Sequence, residues 1–310
     1  MGEVTIEGFA RSFGTNKEDI PSECKQLIKE NNFRYKVLAG KKRDKVILDV
    51  LKKIASDRQV IGAKERQAVW EKGWMENLDE FIKSGYDLNK LVPKFIRPNQ
   101  VIRLNQNYIE PVSASFECDY FSVFRLWLFK KYFESFEHIY EFGCGTGFNL
   151  VTLARMYPKK HLYGLDFVQS SRDLINKIGK KYKWKLTGHI FDMLKPDENF
   201  KIKENSVVFT IGAIEQLASK VELFLQFLLN SSPGLCLHVE PTIELYDQNN
   251  LIDYLAVRFH RKRGYTENFL TRLKELEAKG KIEILKVKRL FFGSLYMEGY
   301  SCIIWKIKKR

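Results

Sequence analysis

The chain has 310 residues, of which 45% are hydrophobic and 29% charged, and its formal net charge is +14. That length can bury a full core in one large or two modest domains, and the composition is ordinary for a globular protein. No stretch approaches the roughly 18 uninterrupted apolar residues that a membrane-spanning helix needs, so no membrane span is expected.

The opening residues, Met-Gly-Glu-Val-Thr-Ile-Glu, lack a basic segment followed by an apolar run, and no secretion signal is expected. Residues 1–105 contain no strand–glycine–helix unit. Val46, Ile47, Val50, Leu51 and Ile54 recur at helical spacing among Lys45, Asp49, Lys52 and Lys53, which predicts an amphipathic helix over 43–55. A second helix is predicted over 62–83, with Val69, Trp70, Trp74, Leu78 and Phe81 as its apolar positions. Pro93, Pro98 and Pro111 then punctuate an irregular link. The segment 114–134 is rich in aromatic residues, and Phe124, Trp127 and Leu128 can share one helical face. This segment reads as a helix packed on a sheet. The same aromatic area, Tyr120 included, could also cover a ligand.

From 138 the rhythm changes. Strands are predicted over 138–142, 162–166, 185–192, 206–211 and 235–240. Helices are predicted over 147–157, 171–182 and 221–229 between them. Helical stretches near 249–260 and 265–279 follow, and two strands over 282–292 and 300–307 close the pattern as an antiparallel pair. This alternation predicts an α/β fold: a mostly parallel seven-stranded sheet with helices on both faces and a terminal antiparallel strand. The expected division is an N-terminal helical lid or substrate-selecting region over 1–110 and an α/β domain over 111–310.

The five cysteines, Cys24, Cys118, Cys144, Cys236 and Cys302, are odd in number and form no CxxC pair. A reducing, cytoplasmic setting is expected, and a zinc cluster is not. The positive charge suits nucleic acid, an anionic membrane or an anionic small substrate. The basic residues are dispersed, however, with the densest runs at Lys41-Lys42-Arg43 and Lys308-Lys309-Arg310. A solubilising surface is the preferred explanation.

The most informative segment is Tyr-Glu-Phe-Gly-Cys-Gly-Thr-Gly at 140–147, which ends a strand and opens a helix. Glycines there let the backbone approach a ligand closely. A dinucleotide fingerprint would need glycine where Phe148 stands, and a Walker loop would need Gly-Lys-Ser/Thr, which is missing. The pattern instead resembles motif I of the class I S-adenosylmethionine-dependent methyltransferases, and the resemblance extends over about 138–307. It implies a Rossmann-like fold and S-adenosylmethionine as cofactor. Asp166, closing the second strand, would hold both ribose hydroxyls. Asp192 would contact the adenine amine. Glu141 would order the loop or approach the methionine amino group. Gly143, Cys144, Gly145, Gly147, Phe167, Met193, Gly212 and Glu215 complete the implied cofactor contacts. The physical reasons hold apart from the likeness: a carboxylate accepts from two adjacent hydroxyls, loop amides at a helix start face an anion, and open α/β sheets bind ligands beyond their strands' carboxyl ends.

His238 and Glu240 alternate to one side of the fifth strand, where they could orient an acceptor, share its proton or contribute to a metal site. Arg263 could pair with a phosphate or carboxylate and Tyr265 could stack on a ring, with Tyr296 on a second rim. The run from His-Val-Glu-Pro through Arg-Gly-Tyr to Gly-Ser-Leu-Tyr-Met-Glu-Gly-Tyr-Ser, over about 205–305, looks like methyltransferases of bacterial surface-glycan and other small-molecule pathways. It implies methyl transfer to a small-molecule acceptor, by preference a hydroxyl of a sugar or related metabolite. A nucleic-acid methyltransferase is the main rival, supported by the charge but lacking an Asn-Pro-Pro-Tyr-like loop or a Pro-Cys nucleophile. A protein methyltransferase and an inactive cofactor-binding scaffold are also compatible with the glycine loop.

Overall fold

The structure, a computed structural model, describes residues 1–59, 61 and 65–308. The first three residues of the helix expected over 62–83, and Lys309 and Arg310 of the C-terminal basic run, lie outside the described residues. The first part of the chain forms β1 (Gly2–Glu3), α1 (Ile6–Phe13), α2 (Ser22–Glu30), β2 (Arg34–Val37), α3 (Gly40–Ser56), α4 (Glu65–Lys83), β3 (Ile102–Leu104), β4 (Asn107–Pro111) and α5 (Phe116–Phe133). The α/β part follows as β5 (His138–Phe142), α6 (Phe148–Met156), β6 (His161–Asp166), α7 (Gln169–Tyr182), β7 (Leu186–Ile190), β8 (Ser206–Ile211), α8 (Val221–Ser231) and β9 (Leu235–Glu240). The chain continues as α9 (Leu251–Arg263), α10 (Phe269–Ala278), β10 (Ile282–Arg289), β11 (Phe292–Gly293) and β12 (Ser301–Ile307).

The main sheet has seven strands in the order β10-β12-β9-β8-β5-β6-β7. Strands β7, β6, β5, β8 and β9 pair in parallel, whereas β12 is antiparallel to both β9 and β10. The sheet is therefore mixed rather than mostly parallel. Its reversed strand, last in the chain, lies one place in from the edge. The central strands are buried on both faces, so they read as apolar runs. Residues alternate between two cores along them. Val207, Phe209, Leu237 and Val239 join α5, α6 and α7, while Val208, Cys236, Ile303 and Trp305 join α8 and α10.

The region expected to be helical also holds strands. β1, β2, β4 and β3 form an antiparallel sheet whose fifth strand, β11, comes from the connection between β10 and β12. These strands are two to five residues long, too short to display a hydrophobic period. Helix α5 bridges the two sheets. It is apolar nearly all round, as a helix buried on every side must be, and Phe121, Phe124, Trp127 and Phe129 are all buried. One continuous core thus carries Phe9, Phe13 and Phe33 from the first part together with Phe209 and Leu237 of the main sheet. Tyr120 lies inside it. Its ring stacks on Phe292 at 3.8 Å and its hydroxyl bonds Ser12 Oγ at 2.7 Å. Tyr120 is a core residue and not the expected substrate contact, because its side chain is sealed from solvent.

A buried ion cluster fastens the small sheet to the large one. Asn250 caps α9 by accepting from the Ile252 and Asp253 amides, which fixes Asp253 in the first turn. Arg289 of β10 grips Asp253 with two nitrogens at 2.6 and 2.8 Å and reaches Glu298 at 2.7 Å. Arg103 of β3 adds bonds to the Ile252 carbonyl at 2.6 Å and to Asp253 at 3.4 Å. The Arg289 and Arg103 charges would otherwise be stranded in a dry interior. Removing one partner of such a cluster costs about 3–5 kcal/mol. Asp253→Ala is expected to lower unfolding stability in urea by about that amount; a loss under about 1 kcal/mol, typical of an exposed pair, would refute this account.

Candidate active site

The loop between β5 and α6 is built on three left-handed glycines, Gly143, Gly145 and Gly147, with φ of 72°, 51° and 75°. A side chain is excluded sterically as well. A Cβ at Gly143 would fall 2.5 Å from Ala213 Cβ, and one at Gly147 would fall 2.3 Å from Ile175 Cδ1. The amides of Gly143 and Cys144 both donate to the Leu165 carbonyl, which ties the loop to the end of β6. The next residue, Asp166, completes the tie: one carboxylate oxygen accepts from the Gly145 amide at 2.9 Å and the other from Val168 at 3.3 Å. Burial pushes its carboxyl up to about 6, against the pull of those amides.

A cavity of about 270 Å³ opens beyond the carboxyl ends of these strands. Gly143, Asp166, Phe167, Asp192, Met193 and Gly212 form its sheet side. Six of the residues expected to hold the cofactor therefore share one crevice. Asp192 also turns its own loop by accepting from the Leu194 amide at 2.8 Å. Other residues expected at the cofactor sit behind this wall. Cys144 is buried, with its sulfur 3.5 Å from Ser171 Oγ and its thiol pushed well above its usual range by burial. Glu141 is buried on the α5–α6 side, where Asn149 Nδ2 donates to Oε1 at 2.6 Å and Oε2 has no partner. Glu215 is buried behind Gly212.

The opposite wall comes from α4, which the sequence assigns to a lid without placing any of its side chains. Arg66, Gln67, Trp70 and Trp74 line the cavity. The two indoles stack at 5.2 Å, and Trp74 lies so close to the loop that a Cβ on Gly145 would come 2.9 Å from its ring. Arg66 bonds the Gln216 side chain across the mouth. Further along α4, Glu71 accepts from the Ser170 amide at the start of α7 at 3.0 Å, and Ser170 Oγ returns a bond to the Glu71 carbonyl. The sequence signal is present in two tryptophans one helical turn apart, but this spacing equally describes a helix packed on a core.

The acceptor residues expected from sequence fare differently. His238 and Glu240 do share a face, and both contact Thr210 of β8, at 2.9 and 2.7 Å. That face is the α8–α10 core. The His238 ring is inaccessible, packed edge-on to Phe269 and beside Trp305, and burial drives its pKa down to about 3. A neutral imidazole sealed from solvent cannot serve as base, so His238 is a core residue and not the expected base. The hydrogen-bond network assigns its proton to Nδ1, which donates to Thr210, which donates to Glu240. Glu240 also receives the Ala213 and Ile214 amides at 3.0 and 3.1 Å. It holds the loop after β8 and does not line the crevice, so it does not make the expected direct contact with an acceptor either. Arg263 is already engaged: two of its nitrogens bond buried Asp57 at 3.0 and 2.8 Å, and a third donates to the Tyr265 hydroxyl at 3.1 Å. Its fork is therefore not free for a substrate anion. Tyr265 is buried, and Tyr296 stacks on Phe259 at 5.0 Å. Neither lines the crevice.

No protein-family model matches the chain, and no curated protein matches it. Solved structures do. The cyclase SpnF shares 11% identity over 80% of this chain and 98% of its own, with a TM-score of 0.50. Geranyl diphosphate C-methyltransferase from Streptomyces coelicolor A3(2) shares 10% identity over 75% and 97%, with a TM-score of 0.46. A methyltransferase dependent on S-adenosylmethionine from Aquifex aeolicus shares 18% over 59% and 88%, with a TM-score of 0.38. The architecture is the class I methyltransferase fold. Identities this low concern the fold alone, and a fold does not fix a reaction. Among the described residues no helix is long and apolar enough to cross a membrane, and no cluster of His, Cys, Asp or Glu could hold a metal ion.

Glu141 gives the site a measurable pH signature. Burial raises its carboxyl from 4.5 to about 8. Between those values the folded protein keeps a proton that the unfolded chain has released. Stability therefore falls as pH rises through that window and levels off above it. Glu141→Gln keeps an acceptor for Asn149 and removes the titration. Denaturant unfolding near pH 5 and near pH 8 should differ less in this variant than in the wild type; identical pH dependence would reject the assignment.

Proposed function

We propose that the crevice binds S-adenosylmethionine and that the protein transfers its methyl group to a small-molecule acceptor. The observation that carries this reading is the placement of Asp166. A carboxylate at the end of the second strand lines the same cavity as the glycine loop and Asp192. The fit extends to the backbone: loop glycines that tolerate no Cβ lead into the N-terminus of α6, where an anionic group is favoured. In this reading Asp166 accepts from the two ribose hydroxyls while retaining the Gly145 amide. Asp192 and Met193 face the adenine, and Glu141, buried behind the wall, orders the start of α6 through Asn149. The bound cofactor supplies an activated methyl on sulfur. The protein's part is to orient the acceptor and exclude water.

In the same reading the N-terminal region is a lid. Trp70, Trp74 and Arg66 would cover the cofactor from α4. Such closeness to the glycine loop suits a small acceptor better than a polymer. The preferred acceptor is a hydroxyl of a sugar or related metabolite, from the residue pattern over 205–305. The setting in this reading is cytoplasmic.

Calorimetric titration tests the reading. Wild-type protein should bind S-adenosylmethionine, and Asp166→Asn should weaken binding about tenfold or more, the loss expected for hydrogen bonds to a charged group. Equal affinity of the two forms would remove Asp166 from the ribose. Absence of binding to the wild type would end the methyltransferase reading. Mass spectrometry of sugar acceptors incubated with the protein and cofactor then tests the acceptor class, with an added methyl as the positive result.

A further inference from the structure

Two carboxyl groups face each other behind the wall of the crevice. Glu240 is anchored by three donors, Thr210 Oγ1 and the amides of Ala213 and Ile214. Glu215, 8% exposed, lies within hydrogen-bonding reach of Glu240 and accepts from the Gln216 side-chain amide, at 3.3 Å, and from its own backbone amide. Its Oε2 is buried and has no other partner. Two carboxylates in contact in a dry site do not both stay charged without a cation beside them, so at rest one proton sits between them. Glu240 has the donors, and the proton belongs mainly to Glu215.

Gly212 stands next to this pair. It lines the crevice, its φ is 63°, and a Cβ there would stand 3.9 Å from both Glu215 oxygens with nothing else within 4 Å. Gly212 thus borders both the cavity and the Glu215 carboxyl. The other charged and titratable groups around Glu215 are Arg66 of α4, Tyr265 after α9 and Tyr300 before β12. His238 stands behind Thr210 on the far side of Glu240.

We infer that Glu215 is the proton acceptor for the methyl-accepting group, reached past Gly212 and positioned by Glu240. The inference rests on the reading of the crevice as an S-adenosylmethionine site. It calls for an acceptor with an exchangeable proton, a hydroxyl or an amine. At rest the pair holds one proton and one negative charge. A sulfonium in the crevice favours release of that proton. Glu215 then takes up the proton that the acceptor loses as its lone pair bonds the methyl carbon and the methyl–sulfur electron pair returns to sulfur. The cationic charge disappears in the same step that the pair regains its proton, so the net charge of the site is conserved. The acceptor leaves methylated and neutral, and the pair is back in its resting state.

Proton counting by calorimetry tests this without an acceptor. S-adenosylmethionine and S-adenosylhomocysteine are titrated near pH 7 in buffers of different ionisation enthalpy, against wild type, Glu215→Gln and Glu240→Gln. The two ligands share ribose, adenine and ammonium, so Asp166 and Glu141 respond alike to both and the difference reports the sulfonium. The wild type should release about one proton more with S-adenosylmethionine, and both variants should lose that excess. An excess that persists in Glu215→Gln, or no excess in the wild type despite binding of both ligands, overturns the inference and leaves the cofactor reading intact. If neither ligand binds the wild type, the cofactor reading itself fails and this inference falls with it.

Discussion

The contact between the Asp166 carboxylate and the Gly145 amide is the constraint on which the site depends. It joins the second strand of the large sheet to the loop leaving the first. The two amide bonds to the Leu165 carbonyl secure the same junction. Without it the loop would have three freely rotating glycines and no fixed shape, because glycine loses more conformational freedom on folding than any other residue. With it, the loop amides, the start of α6 and the carboxylate keep one geometry. The cost is a buried acid whose charged form is disfavoured, offset by the amides that point at it.

Around that junction the protein uses buried carboxyls in several ways. Asp166 fixes a loop and lines a cavity. Glu240 holds the turn after β8 through backbone amides. Asp253 neutralises two arginines and ties the small sheet to the large one. Glu141 and Glu215 differ, each with an oxygen that no donor reaches. Buried polar groups are nearly always satisfied, and these two stand at or just beyond the ends of β5 and β8, next to the loops that line the crevice.

Much of this is legible in the sequence. The strand and helix order from 138 onward, the glycine loop, Asp166 and Asp192 follow from local patterns and sit where those patterns put them. The alternation of His238 and Glu240 is right as geometry and misleading as chemistry. Central strands here are buried on both faces, so period two says that two residues share a side without saying whether that side is open. Arg263 looks free because its partner, Asp57, lies 206 residues away in sequence, and no local pattern carries such a pairing. The strands β1 to β4 and β11 are invisible for a different reason. They are too short for periodicity and are stabilised by what they pack against, chiefly the aromatic face of α5. Trp70 and Trp74 stand out in the sequence, yet helical spacing cannot distinguish a core stripe from a cover.

Strand β11 has a consequence for how the molecule is made. Phe292 and Gly293 pair with Leu104 and Arg103, and the Phe292 ring completes the stack on Tyr120. During synthesis about 180 residues must leave the ribosome between the small sheet's fourth strand and its fifth. Pairings so distant in sequence form late, since loop closure precedes any gain from contact. The nascent N-terminal third therefore waits with its aromatic face and a sheet edge uncovered, a state prone to aggregation and suited to chaperone binding until the C-terminal segment arrives.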